Sequence, residues 1–102
     1  MIFGRKRFGE LIERQLGFFL EDDADLLQDV DEALEKYNRA DKSEAEELYG
    51  DYQLAIEAAT DRLAELRDTY GRTLDDPETY EREFNAEVVR RWPPLGLTIE
   101  ES

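Results

Sequence analysis

Apolar residues recur along the first two-thirds of the chain at alternating steps of three and four. Ile12, Leu16, Phe19, Leu26, Val30, Ala33 and Tyr37 form the first ladder, with one acidic rung at Asp23. Leu20, Leu27 and Leu34 lie beside it and widen it to the three-in-seven face of a bundle helix. The pattern predicts a helix over 7–37, followed by the short polar connection Asn38 to Lys42. A second ladder, Tyr49, Tyr52, Ile56, Ala59, Leu63, Leu66 and Tyr70, predicts a helix over 44–70. Ser43 and Glu46 have capping-box spacing at its start, and Gly71 stands where a left-handed cap would close it. Such helices are about 40 Å long, and a connection this short sets them antiparallel as a helical hairpin.

A third helix is predicted over 77–91. Asp76 can cap it, Pro77 suits its first position and Glu78 complements its dipole. Tyr80, Phe84 and Val88 share one face, with Val89 and Trp92 on its shoulder, and Pro93-Pro94 ends it. Leu95, Leu97 and Ile99 then alternate with Gly96, Thr98 and Glu100, so residues 93–102 read as an extended apolar tail on a single helical domain, 1–92. The expected fold is all-α: a long hairpin, a shorter third helix and the tail. Two apolar stripes with a shoulder at Leu20, Leu27 and Leu34 call for more neighbours than one chain supplies. Two copies are therefore expected to pair into a homodimeric bundle, with Leu54 and Ala58 as contacts outside the main seam.

Composition tests whether such a chain folds. Lys and Arg number 13 against 27 Asp and Glu, a formal charge of −14. Leu, Ile, Val and Phe together make 25 of the 102 residues, above the fifth or so below which a charged chain stays disordered. The chain holds neither cysteine nor histidine. That excludes disulfides, thiolate or histidine-assisted nucleophiles, haem ligation through histidine, and zinc sites built from nitrogen and sulfur. No apolar run reaches the roughly 20 residues of a membrane span, and Met1 to Phe8 lacks the apolar stretch of a secretory signal. Cytoplasm is the default location. Helical hairpins of this size occur in the WXG100 family, but its Trp-x-Gly belongs in the inter-helix turn. Here that turn is Asn38 to Lys42 and the one Trp is Trp92, so the similarity stops at size.

Candidate chemistry is sparse. Glu21, Asp22, Asp23 and Asp25 could gather a hard cation, but no glycine or spaced ligand set follows, as a calcium loop requires. A kink at Asp22 or Asp23, or a plain gap in the seam, accounts for them, and Gly17 adds about 1 kcal/mol of local helix cost. No metal, cofactor or catalytic residue is expected.

Charge is unevenly spread: residues 1–20 sum to +2, while 21–89 sum to −16. Cations at Arg5, Lys6 and Arg7 oppose the dipole of the helix they precede. With Phe3, Phe8 and Phe18 nearby, they suit an anionic membrane surface, an acidic flank of this chain or a second copy. Trp92, Leu95, Leu97 and Ile99 either fold back over the helices or dock on a partner. Direct nucleic-acid binding by the body is disfavoured by its charge. The leading expectation is a non-enzymatic interaction or assembly module that self-associates through protein contacts. An acidic nucleic-acid mimic or antitoxin-like inhibitor of a basic protein is the first alternative. A peripheral membrane protein docked through residues 2–20 is the second.

Overall fold

The three–four ladders become helices throughout a computed structural model that describes residues 7–102. The protein is all-helical, with no strand among the described residues. Helix α1 spans Gly9–Asp22, α2 Ala24–Asn38, α3 Ala45–Gly71 and α4 Pro77–Arg91; a 3-10 turn, Pro93–Leu95, leads into α5, Gly96–Glu100. Phe3, Arg5 and Lys6 lie outside the described residues.

The first predicted helix is two helices. Asp23 leaves the helical basin with φ −129° and ψ 22°, and its carboxylate accepts a 3.0 Å bond from Arg62 Nε on α3. The break lets the two halves serve different neighbours. Upstream, Ile12, Leu16 and Phe19 are buried in the core; downstream, α2 follows α3. Tyr37 meets Tyr49 near one end of that pair and Asp23 meets Arg62 near the other.

Two cap expectations are corrected. Ser43 does not cap α3; its amide and hydroxyl both donate to Asp41 Oδ1, at 3.0 and 2.6 Å. An ionised carboxylate is the stronger acceptor, and these bonds, the hydroxyl's foremost, lower the pKa of Asp41. Gly71 is not a left-handed cap either. It is helical and buried, and a Cβ there would lie 3.3 Å from Tyr80 Cδ2, so its role is to let α4 approach. At α4, Asp76 accepts from the Thr79 amide at 3.2 Å and Pro77 opens the helix. The start of α1 is capped from a distance: Glu83 of α4 accepts the amides of Phe8 and Arg7 at 2.9 and 3.3 Å.

The extended tail is also corrected. Leu95 and Ile99 sit four apart on one side of a helical segment and are both buried, whereas Leu97 points out, 73% exposed. Folding back covers the ends of α3 and α4. Gly96 makes this possible, because a Cβ would fall 3.2 Å from Val89 Cγ2. The clasp is Arg67, 2% exposed on α3. Its guanidinium donates to Asp68 at 2.8 and 3.2 Å, to Asn85 Oδ1 at 3.0 Å, and to the main-chain oxygens of Ile99 and Ser102 at 3.4 and 3.3 Å. One side chain thus joins α3, α4 and α5.

Candidate interaction surface

The buried core collects at one end of the molecule. It is built from Phe8, Ile12, Leu16 and Phe19, then Val30, Ile56, Ala59 and Leu63, then Tyr80, Phe84, Val88, Leu95 and Ile99. From residue 31 to residue 55 no side chain is buried. This stretch, the far half of α2 and the near half of α3, forms an arm. It carries Leu34, Tyr37, Leu48, Tyr49 and Tyr52 only half-covered, with Tyr49 44% exposed. The three tyrosine rings meet in series as tilted pairs, at 5.3 Å and 6.3 Å between centroids. The arm lengthens the molecule to 54 × 27 × 24 Å and its radius of gyration to 15.5 Å, against about 13 Å for a compact chain of this size.

A groove opens where the arm joins the core. Among the described residues α2 packs on α3 and α1 but not on α4 or the turn after it. The space left, about 270 Å³, is lined by Leu27, Val30 and Asp31 of α2 and by Trp92, Pro93, Pro94 and Leu95, with Arg91. Val30 and Leu95 are buried and Trp92 is half-buried, its indole held edge-on to Phe19 at 5.8 Å. Arg91 is already engaged, 2.8 Å from Glu87 of its own helix and 2.8 Å from Glu13 of α1. Asp31 has no cationic partner among the described residues.

The residues singled out in the sequence scatter over this frame. Phe8, Leu95 and Ile99 belong to the core. Arg7 turns onto the acidic α3–α4 connection, 2.8 Å from Asp75 and 3.1 Å from Asp76, with its guanidinium 4.7 Å above the Phe8 ring. Phe18 and Leu54 are 47% and 65% exposed, on different helices, and Leu97 is out on α5. Only Trp92 and Leu95 meet at the groove. Leu27, Val30 and Asp31 were missed as its other wall. Only the shoulder stripe, which includes Leu27, hinted at them.

Two side chains have strongly shifted titration. Glu87 is held down to about 2 by Arg90 and then Arg91, and burial pushes the Tyr80 hydroxyl up to about 12. Both shifts run away from neutrality. Among the described residues no group of three or more His, Cys, Asp or Glu could hold a metal ion, and no helix is long and apolar enough to cross a membrane. No family model, curated protein or solved structure matches the chain.

Proposed function

We propose that this chain is a non-enzymatic protein–protein interaction or assembly module whose working part is the α2–α3 arm. In this reading the arm is an antiparallel helical hairpin, and two copies pair through it to make a four-helix bundle. One observation carries the proposal: over residues 31–55 the chain has Leu34, Tyr37, Leu48, Tyr49, Tyr52 and Leu54 and buries none of them. A pair of helices alone leaves each stripe covered on one side; bundle packing needs neighbours on two. The core end buries most of its stripe residues within one chain, although Phe18, Leu20 and Leu97 project from it, so the longest stretch without a buried side chain is the arm.

Sedimentation velocity across the micromolar range tests this. The expected result is a species of twice the 12.0 kDa chain mass, weakened at least tenfold by Tyr49→Glu. A single 12.0 kDa species at 100 µM overturns the pairing.

The acidic-inhibitor reading has an observation of its own. Glu46, Glu47, Asp51 and Glu57 flank Leu54 on the outer face of α3 with no ion pair among the described residues. A basic partner protein would supply the missing cations.

A further inference from the structure

We propose that the Trp92–Pro94 groove is a docking site for a basic amphipathic segment of another protein. That segment would place one large apolar side chain between Leu27 and Trp92 and a neighbouring lysine or arginine against Asp31. The inference rests on reading the chain as an interaction module, but not on the pairing of copies, which uses the arm.

Size selects the occupant first. A volume of about 270 Å³ falls below the roughly 300–1,000 Å³ of small-molecule sites, and suits a side-chain anchor of the kind that dominates interface energetics. The walls are ready-made. Val30 and Leu95 are buried, Trp92 is held by Phe19, and Pro93 and Pro94 lose little freedom on binding. Charge selects next. Of the two ionised groups at the groove, Arg91 is neutralised by Glu87 and Glu13, so Asp31 is left to face the visitor. Residues 21–89 as a whole sum to −16 and raise the local concentration of cations around the molecule. A second copy is the poorer occupant. Its projecting Leu54 brings Asp51 and Glu57, and its projecting Leu97 brings Glu100 and Glu101, which would meet Asp31 with like charge; its projecting Phe18 brings Arg14 but also Glu21 and Asp22, on a copy whose net charge is −14.

Trp92 is the chain's one tryptophan, so its emission reports occupancy of the groove. The full-length protein is titrated with a twelve-residue lysine–leucine helical peptide, a lysine–serine peptide of equal charge and a glutamate–leucine peptide. The lysine–leucine peptide is expected to shift Trp92 emission to the blue and saturate, with the other two at least tenfold weaker. Asp31→Asn is expected to weaken it about fivefold. Glu100→Gln, which removes one charge elsewhere, changes affinity less than twofold. Circular dichroism confirms that both variants fold. Equal binding of the lysine–serine peptide, or equal losses in the two variants, would reduce the effect to bulk charge and overturn the proposal. So would binding that leaves Trp92 emission unmoved, or an emission shift produced by raising protein concentration alone. Sedimentation of the protein without peptide reports separately on the pairing of copies.

Discussion

At Tyr80, packing and polarity disagree. Its ring is closed in by Phe8, Tyr70 and Phe84, yet its hydroxyl has no hydrogen-bond partner among the described residues. An unpaired buried hydroxyl costs about 1–3 kcal/mol, so Tyr80→Phe is expected to raise the unfolding free energy by about 1 kcal/mol in urea titrations. A loss of that size would show that the hydroxyl has a partner in solution, an ordered water being the simplest. The glycines make a matched pair at the same scale. Nothing lies within 4 Å of a Cβ built on Gly50, in the second turn of α3, so Gly50→Ala gains about 1 kcal/mol of helix propensity. Gly71→Ala meets the Tyr80 ring at 3.3 Å, and that ring is wedged by three others and cannot yield. Its thermal midpoint is expected to fall where that of Gly50→Ala rises. Equal shifts in the two would show that the close approach of α4 is not held by Gly71.

Among the elements, helicity was legible and its interruptions were not. Three–four spacing survives a break: Phe19 and Leu26 keep their register on either side of Asp23, so periodicity alone cannot separate one bent helix from two. Asp23 on the apolar seam was the visible sign; its partner Arg62 lies 39 residues away and only the fold brings them together. The start of α4 is written locally, in Asp76 and Pro77, whereas α1 is capped by Glu83 from another helix, which no local pattern encodes. At the C-terminal end, Leu95, Leu97 and Ile99 satisfy a strand's alternation and a helix's four-residue step at once. Burial by α3 and α4 decided for the helix. The groove was half legible for the same reason: Trp92-Pro93-Pro94 announces a stiff apolar wall, but Leu27 and Asp31 reach it only through the way α2 follows α3. Helix α5, at five residues, has no stability of its own and depends on Arg67. Arg67→Met keeps the aliphatic stem and removes the bonds to Asn85, Ile99 and Ser102. The expected loss is about 2–4 kcal/mol, with amide exchange in residues 96–100 accelerating more than in α3. Uniform acceleration would show that the clasp is not local.

For the whole molecule the governing quantity is a charge of −14 spread over an elongated body. Self-repulsion of that size opposes compaction and is screened by salt. Salt weakens chiefly the ion pairs exposed at both ends, such as Arg39–Glu35 and Arg7–Asp75, and exposed pairs contribute at most about 1 kcal/mol each. Repulsion should therefore win at pH 7, and raising NaCl from 20 to 500 mM is expected to lift the thermal midpoint by several degrees, about 1 kcal/mol in stability for a domain of this length. Acid acts through two opposed effects. Protonating carboxylates relieves the repulsion, so the benefit of salt should shrink as the pH approaches 4.5. Glu87 works the other way. Arg90 and Arg91 hold its folded pKa near 2, below its ordinary 4.5. Its stabilisation is therefore complete above about pH 4.5 and is lost as pH falls toward 2. Thermal melts from pH 8 to pH 2 are expected to rise toward mildly acidic pH and then fall, and Glu87→Gln should flatten the descending limb. A midpoint that drops with salt at pH 7 would mean that the ion pairs binding Arg7, Arg62 and Arg91 to their carboxylates outweigh the repulsion of the body.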